Sequence, residues 1–134
     1  NYPAAKASCP AGWHIPSNEE WNALTNFLGG EVAAHRMKEA GYLHWLEVEQ
    51  GAWTDNNESG FTALPGGYLL IAEKNVEHPL LNVFCCIHEI ARFWSSNESG
   101  NNASYHSLHY DKTWMDYGNS EKDWGYSIRC IRDY

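Results

Sequence analysis

Residues 9–28 read CPAGWHIPSNEEWNALTNFL, and the first regular element of the chain can be located within them. The run Ser17-Asn18-Glu19-Glu20 is typical of a capping box, in which the serine hydroxyl caps the third backbone amide and the glutamate reaches back. Trp21, Leu24 and Leu28 then recur at the spacing of one helical face. The stretch therefore predicts an amphipathic helix that begins at Ser17.

Outward from this helix, the chain has one more helical stretch and then becomes β-rich. Gly29-Gly30 stops the first helix, and a second is expected from Val32 to Ala40, with Met37 and Ala40 facing inward and Gly41 as its C-terminal cap. After Trp45, short β-prone runs alternate with turn residues. The expected strands are Phe61 to Leu64, Tyr68 to Ala72, Arg92 to Ser95, Ala103 to Tyr110, Lys112 to Tyr117 and Tyr126 to Ile131. This order predicts an α+β domain with two N-terminal helices packed on short twisted antiparallel strands.

The longest of these strands carries two apolar phases. Ala103 and Tyr105 share one phase, whereas Leu108 and Tyr110 share the other, and a period of two residues does not reconcile them. We therefore expect a β-bulge near His106-Ser107.

Length and charge restrict the class of protein. The 134 residues are the usual size of one domain, so we expect residues 1–134 to form a single domain, with some residues missing upstream because no initiator methionine is present. Nine basic and seventeen acidic side chains give a net charge of −8, which disfavours nucleic acid as a partner. The longest apolar stretch, Leu80 to Ile87, is far shorter than the roughly 20 residues of a membrane span, so no transmembrane segment is expected.

Four cysteines lie at positions 9, 85, 86 and 130, a spacing that matches neither a zinc ribbon nor a CxxC motif. A bridge from Cys9 to Cys130 would stabilise the fold by about 4 to 5 kcal/mol through the long loop that it closes. Two buried free thiols are the equal alternative. Cys85 and Cys86 would point to opposite faces of a strand, so the pattern indicates no role for them.

Candidate catalytic and metal-binding motifs are sparse. His106 and His109 are three residues apart, so a strand places them on opposite faces unless the bulge realigns them, and no shared metal is expected. Residues 55–59, Asp-Asn-Asn-Glu-Ser, concentrate oxygen ligands as a calcium loop would, but polar turn residues explain them equally well. No nucleophile elbow and no HExxH helix occurs, so we expect neither an enzyme nor a cofactor.

The C-terminal strands carry a mixture of large rings, imidazoles and acids, which is the composition of antibody-like contact surfaces. It comprises Ser104, His106, His109, Asp111, Thr113, Trp114, Met115, Asp116 and Tyr117. The alternative interpretation is that Trp114 and Trp124 belong to the core and the rest is a solvated hairpin.

Four ordered segments resemble the Fibrobacter succinogenes major paralogous domain family. They are CPAGWHIPSNEEW (9–21), ESGFTALPGGY (58–68), FWSS with Glu98 (93–98) and GYSIRCIRD (125–133). The resemblance implies a C-type-lectin-like fold in a secreted or surface-attached protein, with Trp13, Trp21, Trp94 and Tyr126 as framework. Cys9 and Cys130 stand where the family often carries cysteines. Residues 69–91 depart from the family pattern, because they are longer and more apolar than its usual glycine-rich link.

Some members of that family are variable proteins of diversity-generating retroelements, in which a reverse transcriptase copies a template inaccurately at adenines and rewrites codons near the 3′ end. The resemblance therefore implies a variable binding surface in residues 92–124. The ligand-binding positions that it implies are Arg92, Ser104, His106, Ser107, His109, Asp111, Lys112, Trp114, Asp116, Tyr117, Asn119, Ser120 and Glu121.

The expected function is thus that of a non-catalytic receptor or adhesin module, extracellular, on the cell surface or on a phage virion, which binds a protein or glycan on another cell or particle. The Glu-Pro-Asn, Gln-Pro-Asp and Trp-Asn-Asp motifs of calcium-dependent lectins do not occur, which disfavours calcium-dependent sugar binding. The alternative is a structural or accessory domain of a bacterial surface lipoprotein or pilus tip, in which the same patch packs against a neighbouring domain.

Overall fold

The computed structural model describes residues 1–49, 52–71 and 83–134. In chain order, the elements are helix α1 (Tyr2–Lys6), strand β1 (Trp13–His14), helix α2 (Asn18–Phe27), a 3₁₀ turn (Gly30–Val32), helix α3 (Ala33–Met37) and strands β2 (Tyr68–Leu70), β3 (Val83–Cys85), β4 (Ile90–Ser99), β5 (Asn102–His109), β6 (Asp116–Glu121) and β7 (Ile131–Arg132). The strands form three antiparallel sheets, β1 with β7, β2 with β3, and β4–β5–β6 with β5 in the centre. The predicted α+β class is confirmed. Within the described ranges, no helix has the length and apolarity that a bilayer span requires.

Helix α2 begins as its sequence predicts. The amide of Glu20 donates to the Ser17 hydroxyl at 3.2 Å, and the Ser17 amide donates to the Glu20 carboxylate at 2.8 Å. Trp21 and Leu28 are buried, and Leu24 packs against them. The capping box and the apolar stripe are therefore both confirmed.

Helix α3 is shorter than predicted. It ends at Met37, because Lys38 adopts an extended backbone (φ −69°, ψ 152°) and forms a parallel bridge with Ala63. Met37 is buried, but Ala40 is exposed and Gly41 caps no helix. Those two expectations were wrong, since the chain leaves the helix before reaching either residue.

Apolar clusters cover both faces of the β4–β5–β6 sheet. On one face, Phe93 and Leu108 pack with Trp21 of helix α2. On the other face, Trp94 and Ala103 pack with the N-terminal residues of the chain. The sheet is therefore an inner layer, and its strands need no single polar face.

This two-sided burial explains the two phases of β5. Ala103 and Tyr105 belong to one cluster, and Leu108 and Tyr110 to the other. Pairing of β5 with β6 is continuous over residues 102–107, and the register shift lies instead in β4, between residues 94 and 98. The predicted bulge at His106-Ser107 was wrong, because the argument from phase assumed that only one face of the strand is buried.

The irregular part of β4 joins the sheet to the start of helix α2. The Asn97 side-chain oxygen accepts a 2.7 Å hydrogen bond from the Asn18 amide, and the Ser96 amide donates to the carbonyl of Pro16 at 2.9 Å. The Tyr2 hydroxyl donates to the Ser96 carbonyl at 3.0 Å. The extra residues of the bulge thus supply polar contacts to helix α2 and to helix α1.

The other strand predictions hold in part. Strand β2 begins at Tyr68 as expected, while Ala72 lies outside the described residues. Of the predicted strand at residues 61–64, only the β-bridge at Ala63 is formed. Residues 112–115 form a connection instead of a strand, and only Ile131 of residues 126–131 lies in a strand. Strand β6 starts later than predicted and pairs only with β5 among the described strands, so it forms an edge of its sheet.

The structure forms the disulfide from Cys9 to Cys130, with a Cα–Cα separation of 5.8 Å. Of the two alternatives left by the sequence, the bridge is therefore the one observed. Cys85 and Cys86 are also joined by a disulfide. Adjacent residues within a strand point to opposite faces, but β3 ends at Cys85 and Cys86 has a φ of +63°, so this rule does not apply to the pair.

Candidate functional site

The pairing register divides the predicted binding residues between two faces of the sheet. Arg92 lies opposite Ser107, and Ser107 lies opposite Asp116, so these three residues project from one face. His109, two residues after Ser107, shares that face. The sequence alone presented the thirteen predicted ligand-binding positions as a single patch, whereas the structure forms two.

On the first face, a polar cluster surrounds the carboxylate of Asp116. The indole N–H of Trp114 donates to Asp116 Oδ1 at 2.9 Å, and the Lys112 ammonium pairs with Oδ2. His109 Nε2 lies 3.5 Å from the same Oδ2, and Lys112 Nζ lies 5.5 Å from the centroid of the Trp114 ring. We call His109, Lys112, Trp114 and Asp116 the Asp116 cluster.

The electrostatics of the Asp116 cluster keep its carboxylate charged. Burial alone would raise the pKa of Asp116, but hydrogen bonds from Lys112 and Trp114 outweigh burial and lower it. Burial, with the nearby Lys112 charge, lowers the pKa of His109. At neutral pH the cluster therefore contains one carboxylate, one ammonium and a neutral imidazole.

Ser107, His109 and Asp116 have the composition of a hydrolytic triad but not its geometry. The Ser107 hydroxyl lies 3.1 Å from His109 Nε2, and the Asp116 carboxylate approaches the same nitrogen. A triad needs the acid on one ring nitrogen and the nucleophile on the other. Ser107 is also buried, so its hydroxyl does not face a substrate. The arrangement does not support nucleophilic catalysis.

The second face carries Ser104, His106, Tyr117, Asn119 and Glu121, whereas Ser120, opposite Ala103, projects from the first face and Asp111 lies in the segment that connects β5 to β6. Tyr117 is 79% exposed, Asn119 and Glu121 are also exposed, and the Ser104 hydroxyl donates to the Asn119 side chain at 2.8 Å. His106, by contrast, is only 3% exposed. The outer part of this face, along β6, is therefore accessible, while its inner part lies under helix α2.

His106 is a packed residue of this interior. Its ring stacks on Trp21 with centroids 5.5 Å apart, and its Nε2 lies 3.2 Å from the Asn18 side-chain oxygen. Burial lowers the pKa of His106 to about 4. The imidazole is therefore neutral at physiological pH, and it contributes to the core rather than to an open surface.

Arg92 packs within an aromatic cluster. Its guanidinium carbon lies 4.1 Å from the ring centroid of Tyr68 and 4.5 Å from that of Tyr105. Its Nη1 donates to the Tyr126 hydroxyl at 3.4 Å. These cation–π contacts hold the half-buried side chain in place. Arg92 is thus a half-buried residue of the first face, beside the Asp116 cluster.

A residue that the sequence analysis missed, Lys38, holds the segment 110–115 that connects β5 to β6. Its side chain is completely buried, and its ammonium donates to the main-chain carbonyls of His109 (3.0 Å), Tyr110 (3.3 Å) and Lys112 (3.1 Å). The Asp55 carboxylate lies 3.1 Å from the ammonium and supplies the counter-charge. Burial lowers the pKa of Lys38, and Asp55 opposes this shift.

A second main-chain contact fixes the same segment. The amide of Ala34, in helix α3, donates to the Thr113 carbonyl at 2.8 Å. The Ala34 amide and the Lys38 ammonium thus both hold the connecting segment through its main-chain carbonyls. One feature of the sequence could have indicated that Lys38 is buried. It follows Ala34 by four residues and Met37 by one, so it falls on the apolar side of the predicted helix.

The candidate calcium loop has other partners. Asp55 pairs with Lys38 and with His35, whose Nδ1 lies 2.9 Å away, and Glu58 pairs with Arg36. The Asn57 side-chain oxygen accepts from the Thr62 amide at 2.8 Å, as expected of a polar turn. Nowhere in the described ranges do three or more His, Cys, Asp or Glu side chains gather as a metal site would require.

The described structure is an α+β protein whose β5–β6 hairpin presents aromatic and polar side chains at its tip and along its outer strand. The family model for the Fibrobacter succinogenes major domain matches residues 1–132. The chain belongs to this family. The chain matches no curated protein and no solved structure.

Replacing Lys38 by Met is expected to lower the free energy of unfolding by about 3 to 5 kcal/mol, because it removes the ammonium that pairs with the buried Asp55 carboxylate and donates to three main-chain carbonyls. Urea unfolding measures the loss, and hydrogen exchange at the Ala34 amide reports loosening of the connecting segment. Adding Asp55→Asn removes the buried negative charge that has lost its lysine partner and is expected to recover part of the loss.

The matched control is Lys6→Met, which removes an exposed ion pair with Glu98 and is expected to cost far less, because solvent screens that pair. Equal effects of the two lysine substitutions would contradict the assigned role of Lys38.

Acid is expected to destabilise the protein through His106. Between the pKa of about 6.5 in the unfolded chain and about 4 in the folded one, only the unfolded chain takes up the proton, so stability falls as pH falls. From pH 7 to pH 4.5 the free energy of unfolding is expected to fall by about 2 kcal/mol because of His106, and the His106→Gln variant is expected to lack this part of the pH dependence. Urea unfolding at both pH values measures it. The control Phe27→Ala, at an exposed residue that does not titrate, keeps the wild-type dependence, and an unchanged dependence in His106→Gln would refute the assignment.

Proposed function

We propose that this chain is a non-catalytic ligand-binding module whose contact surface is the tip and outer strand of the β5–β6 hairpin. One observation carries the proposal: the connecting segment 110–115 is held by Lys38 and Ala34 through its main-chain carbonyls. Because these contacts do not depend on the side chains of the segment, its exposed side chains Asp111 and Trp114 are available for recognition, whereas Tyr110 and Met115 pack against the core.

The exposed aromatic side chains supply the contact area. Trp114 is 45% exposed and Tyr117 is 79% exposed, on opposite sides of the hairpin. The Trp114 ring is oriented by Asp116 and Lys112 before any ligand arrives, which reduces the entropy lost on binding. Aromatic residues that are rigid and accessible are those that most often dominate binding energy.

The structure also favours a smaller contact set than the sequence did. Asp111, Trp114, Tyr117, Asn119 and Glu121 are exposed, and we propose them as the principal contact residues. Half-buried members such as Lys112, Asp116 and Arg92 orient them. His106 and Ser107 are buried, and in the proposal they support the hairpin without touching the ligand.

We further propose that residues 1–134 form one C-type-lectin-like domain and that residues 92–124 are the variable region of a diversity-generating retroelement. The resemblance of residues 92–133 to such variable proteins motivates this proposal. The main-chain contacts of segment 110–115 support it as well, because they do not depend on exposed side chains such as Trp114. The ligand is then a protein or glycan on another cell or particle, met outside the cytoplasm.

The binding test uses fluorescently labelled protein on a glycan array and on a panel of whole bacterial cells. The wild-type chain is expected to label a restricted set of these targets. The double variant Trp114→Ala/Tyr117→Ala is expected to bind them at least about thirtyfold more weakly, because each ring supplies about 1 kcal/mol or more.

The matched control is Phe27→Ala on helix α2, which removes an aromatic side chain that is 84% exposed and lies outside the proposed surface. It is expected to bind as the wild type does. The proposal fails if no target is labelled, or if the double variant labels the same targets with unchanged affinity.

The diversification proposal has a separate genomic test. Beside the gene, we expect a reverse transcriptase gene and a near-copy of the segment that encodes residues 92–133. The two copies should differ mainly at adenines of the template, in the codons of exposed residues. Differences spread evenly over the codons of buried residues such as Trp94 and Leu108 would count against it.

A second candidate function is that of an accessory domain packed against a neighbour. It is favoured by exposed apolar side chains away from the hairpin: Val83, Phe84 and Ile87, with Leu43 and Leu46 on a loop whose Leu46 amide bonds to the carbonyl of His88. Substitution of Phe84 by Ser would then release the neighbouring domain, whereas Trp114→Ala/Tyr117→Ala would not. The ligand-binding function predicts the reverse.

A further inference from the structure

A cavity of about 370 Å³ opens between helix α2 and the β1–β7 pair. Its wall is mainly apolar and includes Trp13, Trp21, Leu24, Phe61 and Ile131. Its volume is at the lower end of the range of small-molecule sites in proteins, which are likewise apolar with a few polar groups. None of its lining residues lies in the segment 92–124, so it is separate from the proposed contact surface.

Two arginines, Arg129 and Arg132, complete the lining. Arg129 places its guanidinium 4.6 Å from the Phe61 ring centroid and donates to the Phe61 carbonyl at 2.9 Å, so its position is fixed. Arg132, on strand β7, is exposed. The cavity thus combines an apolar interior with two guanidinium groups.

These arginines stand out in an acidic chain. Within the described residues, most lysines and arginines are paired with an aspartate or a glutamate: Lys6, Arg36, Lys38, Lys112 and Lys122. In the same ranges, Arg92, Arg129 and Arg132 form no such pair. Two of these three residues line this one cavity, although the chain carries a net charge of −8. Their positive charge is therefore available to a ligand.

Glu20 also lines the cavity, but its carboxylate already has partners. It accepts from the Ser17 amide at 2.8 Å and lies 3.0 Å from His14 Nε2. Although burial alone would raise the pKa of Glu20, these contacts lower it. Hydrogen bonds from the His14 ring to the Asp133 and Glu20 carboxylates raise the pKa of His14, which favours its charged form beside this acidic group.

We propose that this cavity binds a small ligand that carries a hydrophobic ring and a carboxylate. The ring enters the space between Trp13, Leu24 and Ile131, where burial of apolar surface drives binding. The carboxylate lies towards Arg129 and Arg132, whose planar guanidinium groups suit carboxylate geometry. The site is independent of the function proposed for the β5–β6 hairpin.

The test titrates the protein with 3-phenylpropionate and with its uncharged analogue 3-phenylpropionamide. Both are followed by NMR through the indole N–H signals, which are assigned with single Trp→Phe variants. The acid is expected to shift the Trp13 and Trp21 signals saturably in the millimolar range and to leave Trp114 unmoved. The amide is expected to bind at least about tenfold more weakly, a difference of about 1.4 kcal/mol.

Two variants and one control sharpen the test. Arg132→Gln changes an exposed side chain, so the fold is retained, and it is expected to weaken binding of the acid about three- to fivefold without affecting the amide. Leu24→Phe fills the cavity and is expected to abolish binding of both probes. Arg36→Gln removes an arginine outside the cavity and is expected to change neither.

Saturable shifts at Trp13 and Trp21, with preference for the acid and a smaller preference in Arg132→Gln, support the proposal. The absence of shifts, shifts centred on Trp114, or equal affinity for the acid and the amide would each overturn it.

Discussion

A buried ammonium group holds the connection between β5 and β6 in place. Lys38 lies at the end of helix α3, its counter-charge comes from Asp55 in a turn, and its three carbonyl acceptors come from the end of β5 and the connecting segment. A charge removed from water is tolerated only when all its donors are used, so these parts of the chain must occupy their observed positions together. The orientation of the hairpin tip follows from that constraint.

The two-sided sheet determines which residues remain outside. Because apolar clusters cover both faces of the inner strands, most side chains on β4 and β5 are wholly or partly buried, whatever their polarity. The exposed side chains of this sheet lie on the edge strand β6, in the connecting segment and near the β4–β5 turn, at Ser96, Glu98, Ser99 and Asn102. This is why His106 and Ser107 are interior residues although their neighbours in sequence suggest a surface, and why Tyr117 and Asn119 are accessible.

Local features of the chain were predictable and long-range ones were not. The capping box at Ser17 needs only four consecutive residues, and the exposed aromatic character of Trp114 and Tyr117 followed from composition and resemblance. The partners of Lys38 are 17 and more than 70 residues away, so no local pattern reveals them. The division of the binding positions between two faces depends on the register of β6, which the sequence placed too early. Register depends on tertiary packing, which periodicity alone does not contain.

The edge position of β6 has a consequence for solubility. Its outer backbone amides and carbonyls have no partner strand among the described residues, and such an edge can recruit the same strand of another molecule. Acidic side chains at its two ends, Asp116 and Glu121, discourage that association by mutual repulsion between molecules. If the proposed exchange of side chains on this hairpin takes place, aggregation limits it as well as folding, because sequences that make β6 uncharged and apolar favour self-association.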